Sequence, residues 1–245
     1  MKYLASLILF LVITTHTFAA YGLTQSGNLV ASTNSNFSRA DDALLDITGA
    51  STVEVWIYYN SSIAAGTKDL VYKQETSGSF NGWRLYLDTA GTGLHFTSQA
   101  TDKTVAWTPT TNTWYHVAAT NSGAGTIKFY VNGVQQGADQ TGFTNPAAGT
   151  NTLYIGADNG DTITNTNISL VRIWGVVRTE AELAAAKCSV LGATTNLNAE
   201  WTLDNTLNDN SGNSLTLTNN NVATFEAVLP SACATTFNNG TWWEF

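Results

Sequence analysis

Charge is what this chain has least of. Only 11% of its 245 residues are Asp, Glu, Lys or Arg, against a usual share of about 25%. Ten basic residues face 18 acidic ones, a formal net charge of −8. Nucleic-acid binding draws on clustered Lys and Arg, and so does attachment to anionic membranes. The scattered cations of an acidic chain exclude both partners. Proline occurs only at positions 109, 146 and 230, so no proline-rich linker divides the chain. The two cysteines, Cys188 and Cys233, form no Cys-x-x-Cys pair, which argues against a thiolate metal site.

Long apolar runs are missing as well. The longest, Leu4 to Ile13, is broken only by Ser6 and is about half of the roughly 20 residues a bilayer span needs. Lys2 precedes it, and Thr17-Phe18-Ala19-Ala20 follows it. A positive start, a short apolar stretch and small residues at the end make a secretory signal. Residues 1–19 are expected to be removed, with Thr17 and Ala19 at the cleavage-determining positions, and no membrane insertion is expected after cleavage. The mature chain is then secreted or displayed on an extracellular surface. In that oxidising setting Cys188 and Cys233 are expected to pair.

What remains is rich in Thr, Asn, Ser, Gly and aromatics, with eight Trp and nine Tyr. The apolar residues fall in short alternating runs. In Thr52 to Tyr59, Val53, Val55, Ile57 and Tyr59 face one way, while Glu54, Trp56 and Tyr58 face the other. Runs of the same kind occur at Asp69 to Lys73, Trp83 to Leu87, Leu94 to Thr97, Trp114 to Ala119, Ile127 to Val131, Leu153 to Ile155 and Ile168 to Trp174, with Gly, Asn and Ser turns between them. Such runs are strands. Asn132-Gly133 marks a type I′ hairpin. One segment departs from the pattern: Thr179 to Lys187 has high helix propensity, and Thr179 with Glu182 forms a capping box. Later strands are read at Asn198 to Leu203, Leu215 to Leu217 and Val222 to Phe225. The class is all-β with one short helix, as residues 20–190 with a C-terminal extension, 191–245, packed on the same domain.

Four motifs resemble the concanavalin A-like, laminin-G-like lectin/glucanase domains. They are Phe37-Ser38-Arg39-Ala40 through Leu45-Asp46-Ile47-Thr48-Gly49 into the Thr52 strand; Thr113-Trp114-Tyr115-His116-Val117-Ala118; Lys128-Phe129-Tyr130-Val131-Asn132-Gly133-Val134; and Leu153-Tyr154-Ile155-Gly156 followed by Ile168 to Trp174 and the helix start. Their order matches the family across Asn28 to Lys187. The resemblance implies a two-sheet antiparallel jelly-roll sandwich. Because this fold hosts lectins, adhesion modules and glycosidases alike, function must be argued from the site.

Hydrolases of this fold resemble one another in a Glu-x-Asp-x-x-Glu strand that sets paired carboxylates on one face. Nothing of that form occurs here. Glu54 has only Thr52, Trp56 and Tyr58 as same-face neighbours on its strand, so no enzyme is expected. His95 and His116 are the histidines left after the signal, and His116 lies in a motif that is structural in the family. No cofactor is required. Calcium is common in the family, and the acidic loops at Asp41 and Asp42 and at Asp158 and Asp161 are candidates for a structural ion, although Ser169 stands where the family often has Asp. The binding candidates are Asp158, Asn159 and Asp161 on a loop, with Trp242 and Trp243 as a stacking platform. Neutral donors, acceptors and flat aromatic faces suit a glycan; the alternative partner is a surface protein. Asn36, Asn60, Asn167 and Asn239 open glycosylation sequons.

Overall fold

A computed structural model describes residues 23–30, 34–59, 67–99, 101–157, 166–221 and 223–233. The signal segment lies outside them. So do Asp158, Asn159, Asp161, Trp242 and Trp243, and the sequon residues Asn60 and Asn239.

Among the described residues fifteen strands build two antiparallel sheets. In chain order they are β1 (Ser26–Leu29), β2 (Asn36–Arg39), β3 (Ser51–Tyr59), β4 (Lys68–Gln74), β5 (Gly82–Leu87), β6 (Gly93–Ser98), β7 (Thr101–Ala106), β8 (Thr113–Asn121), β9 (Thr126–Val131), β10 (Val134–Thr141), β11 (Leu153–Ile155), β12 (Thr166–Trp174), β13 (Leu197–Trp201), β14 (Thr218–Asn220) and β15 (Thr224–Glu226). The first sheet runs β10-β9-β8-β3-β12-β1-β15, with β13 also on β12; the second runs β14-β2-β11-β4-β5-β6-β7. One helix, α1 (Glu180–Ala186), follows β12.

The alternation read from the sequence selects the inner faces. Val53, Val55 and Ile57 of β3 meet Trp83, Leu85 and Leu87 of β5, Leu94 and Phe96 of β6, and Leu153 and Ile155 of β11 in one core. Face-to-face packing of alternating strands is what gives a sandwich its core. At the β9–β10 hairpin, Asn132 and Gly133 take φ of +55° and +83°, the pair of left-handed residues a type I′ turn requires. Thr179 caps α1 with the reciprocal Thr179–Glu182 bonds of a capping box.

The segment after α1 belongs to both sheets, since β13 and β15 join the first and β14 the second. Leu215 to Leu217 is not a strand. Leu215 and Leu217 are buried, the Trp201 indole donates to the Leu215 carbonyl at 2.7 Å, and pairing begins only at Thr218. Nor is β12 regular. Residues 170 and 171 together oppose a single residue of β3 between the pairs Ser169–Trp56 and Arg172–Glu54. Leu170 sits there at φ +45°. This bulge returns Val171 to the core and turns Leu170 outward, where it packs with Trp56, Trp114 and Cys233. An extra residue at a bulge shifts side-chain parity in this way.

Candidate functional site

The outward face of the first sheet is roofed over. Glu54, His116, Arg172, Trp174 and Glu200 point away from the core and yet are almost completely buried. Their cover is α1 with the chain that follows it. Arg172 donates from Nε to Glu200 at 2.8 Å and from Nη1 to Glu54 at 3.3 Å. It also reaches the carbonyls of Ala186 and Ser189. Trp56 donates to the Lys187 carbonyl at 2.6 Å. The open carbonyls that end a helix are thus met by side chains from the sheet. Glu200 in turn accepts from the backbone of Leu191 and Gly192. A disulfide between Cys188 and Cys233 fastens the cover. Burial pushes the Glu54 carboxyl up, but the Arg172 guanidinium and the His116 and Trp174 hydrogen bonds outweigh it and hold it at about 2. These groups are structural; a substrate cannot reach Glu54, which is 1% exposed.

The Asp41–Asp42 loop is also in use. Asp42 caps a 3-10 turn over Ala43–Leu45. Asp41 and Asp46 each lie 2.7 Å from Lys73 Nζ, which donates as well to the Gly149 carbonyl at 3.2 Å. Oxygens that could converge on a cation converge instead on this ammonium. Among the described residues no three His, Cys, Asp or Glu gather as a metal would need. Asn36 and Asn167 lie buried within β2 and β12, a poor setting for glycan attachment.

The outer face of the second sheet carries the richer set of polar and aromatic side chains, of which Ser38, Asp69, Tyr72, Tyr86 and Thr97 are themselves buried. The cross-strand register aligns Ser38, Tyr154, Tyr72, Arg84, Thr97 and Asp102 in one row. Asp69, Tyr86, His95 and Thr104 form the next. Arg84 lies over the Tyr86 ring at 4.1 Å from its centroid. Tyr86 stacks on His95 with ring centroids 4.7 Å apart. His95 Nδ1 donates to Asp102 at 2.8 Å, and its Nε2 accepts from the Thr104 hydroxyl at 3.1 Å. Thr97 donates to the other Asp102 oxygen. Burial works to raise Asp102, but the His95 and Thr97 hydrogen bonds prevail and hold its carboxyl below the ordinary range. Burial also opposes ionisation of Asp88, and there bonds from the Thr92 and Gly91 segment win. Arg84 Nη1 lies 3.6 Å from Asp69, while its buried Nε has no hydrogen-bond partner among the described residues. A rigid sheet thus holds donors, acceptors and stacked rings at set spacings. These residues stand on strands rather than on the loops where binding sites are usually found. The signal was available in the polar positions alternating with core residues along Trp83 to Leu87 and Leu94 to Thr97.

These features define a two-sheet β-sandwich with one sheet face roofed and the other polar and aromatic. The chain belongs to the concanavalin A-like lectin/glucanases superfamily, whose Laminin_G_3 family profile matches residues 32–184. A comparison with curated proteins yields no match. Among solved structures it is similar to a candidate carbohydrate-binding protein from Bacteroides ovatus ATCC 8483, with a TM-score of 0.66 and 22% identity over 83% of this chain and 60% of that one. A heptameric SAP-like pentraxin from Limulus polyphemus matches with a TM-score of 0.55 and 16% identity, over 78% of this chain and 88% of that one. The chain spans less than two thirds of the Bacteroides protein. At these identities the likeness concerns the fold. No helix among the described residues is long and apolar enough to cross a membrane.

Proposed function

We propose that this chain is a secreted or surface-displayed carbohydrate-binding module that takes its glycan on the outward face of the second sheet. The observation that carries the reading is the Arg84–Tyr86–His95–Asp102 array, in which stacked rings and hydrogen-bonding groups stand side by side. Sugar hydroxyls both donate and accept, and this face offers both roles from groups already held in place, which lowers the ordering cost of binding. The superfamily's lectins and the Bacteroides relative support the same reading.

The face is not built for hydrolysis. A glycosidase needs one carboxyl raised to act as acid, whereas Asp88 and Asp102 are both lowered. A shallow face gains a few hydrogen bonds of about 1 kcal/mol net each, so dissociation constants on the order of millimolar are expected, about −4 kcal/mol. Multivalent display then supplies useful affinity. The test is a glycan array probed with clustered mature protein. Binding should be lost in Arg84→Ala and His95→Ala variants that keep the wild-type circular dichroism. A blank array, with capture of a native surface protein in its place, would make this a protein-binding adhesion domain.

A further inference from the structure

Which sugars the second-sheet face admits depends on what its polar groups have left free. At the β5–β6 turn, Asp88 accepts from the Thr92 amide at 2.9 Å and from the Thr92 hydroxyl at 3.3 Å. Across β6, the Thr104 hydroxyl proton is engaged on His95 Nε2, and the His95 Nδ1 proton on Asp102. Thr104 therefore presents only lone pairs to a ligand. Asp88 and Asp102 do the same, since both carboxyls are held below their ordinary range. Both are open to solvent, with 30% and 43% of their side-chain surfaces exposed. Gly93 lets these groups converge. It opens β6 in ordinary strand backbone, without the positive φ that would call for glycine. A Cβ there would stand 2.8 Å from both Asp88 Oδ2 and His95 Nε2 and 3.1 Å from Thr104 Oγ1. Glycine in a strand often marks a close approach, and here three polar side chains make it.

The cations nearby are committed or turned away. Arg84 has Asp69 at 3.6 Å to balance its charge, and its guanidinium lies over the Tyr86 ring. Lys68 feels the charge of Asp88, but it is buried and donates to the Thr89 carbonyl at 3.3 Å. Lys103 stands between Asp102 and Thr104 on β7, so strand alternation sends its side chain to the other face. The His95 end of the face thus carries open acceptors and negative charge.

We infer that this face selects a non-anionic glycan, held by hydroxyls that donate to Asp102 and Asp88, and rejects sugars bearing a carboxylate or a sulfate. The inference rests on the glycan site proposed above and adds its substrate class. A hydroxyl donating to an ionised carboxylate makes a charge-assisted bond, roughly twice as strong as a neutral one. An anionic sugar would instead meet like charge at short range. It would gain nothing from Thr104, whose proton already serves His95.

The experiment compares matched pairs of sugars on an array probed with clustered mature protein at neutral pH: lactose with sialyllactose, galactose with galacturonate, and glucose with glucose sulfate. In every pair that binds, the uncharged member should bind several-fold more tightly. Salt at about 1 M, where the screening length is about 3 Å, should narrow the gap. Asp102→Asn, in protein that keeps the wild-type circular dichroism, should weaken the uncharged sugar several-fold and narrow the gap at low salt. Equal or tighter binding of the charged members would overturn the selection while leaving the second-sheet site in place. So would a gap that salt or Asp102→Asn leaves unchanged. A blank array for both members would overturn the glycan site itself, and the selection with it.

Discussion

The imidazole Nε2 of His116 donates to Oε2 of Glu54 at 2.8 Å, and both side chains are 1% exposed. The pair lies diagonally across β3 and β8, since Glu54 is opposite Ala118 and His116 opposite Trp56. With Arg172 and Glu200 it forms a charged layer between the first sheet and its cover. Removing one member of a buried pair strands the others, at a cost of about 3–5 kcal/mol.

Acid should expose this layer. Glu54 has its carboxyl at about 2 when folded, against an ordinary 4.5. A group lowered by folding stabilises the fold above its unfolded value, and that contribution is lost as pH falls through the folded one. Stability should therefore decline from 4.5 down towards 2, by on the order of 3 kcal/mol from Glu54. Urea melts across this range should show the slope. Glu54→Gln should flatten it and be less stable at neutral pH.

The Cys188–Cys233 bridge closes a separation of 45 residues, which the chain-entropy model converts to about 4 kcal/mol. It also holds the cluster of Trp56, Trp114 and Leu170 under its cover. The double variant Cys188→Ser, Cys233→Ser should lower stability by about 2–5 kcal/mol. Indole fluorescence should change with it as Trp56 and Trp114 are uncovered, and alkylation of the oxidised wild type should find no free thiol.

Gly133 should tolerate no side chain. It sits at φ +83°, and an added Cβ would stand 2.7 Å from the Ala184 Cα of α1. Strain at such a position costs about 1–3 kcal/mol. Thermal melts of Gly133→Ala should register the loss, whereas Val134→Thr next to it, at a 61% exposed position, should change stability little.

Glycoside hydrolysis is not expected. Glu54 is enclosed by Arg172, His116 and Trp174. Purified protein should release no reducing sugar from β-glucans. Turnover that vanished in Asp88→Asn or Asp102→Asn would show that the second-sheet face does chemistry.

The strand alternation from Thr52 to Tyr59, the Asn132-Gly133 turn and the Thr179–Glu182 cap are all legible along the chain. Each rests on neighbours a few residues apart, and side-chain period and backbone preference are local properties. The same locality explains the misses. Leu215 to Leu217 shows a strand-like apolar pattern, but pattern cannot say whether a strand lies alongside, and the segment packs its leucines with one backbone bond, from the Leu217 amide to the Leu207 carbonyl, and no ladder. The bulge at Leu170 is likewise invisible in the apolar run from Ile168 to Trp174, because parity is judged only against β3.

The sequence by itself determined the alternation of the regular strands and where the hairpin and helix begin, and its resemblance to the family implied a two-sheet sandwich. The tertiary structure alone decided what happens outside that core. Arg172, Glu54 and Glu200 are far apart in the chain, and only the register of β3, β12 and β13 brings them together beneath a helix that turns a would-be solvent face into an interior. The same long-range pairing sets Arg84 and Tyr86 beside His95 and Asp102. A charge or hydroxyl acquires its role from what surrounds it in space, and those surroundings come from strands that the sequence separates.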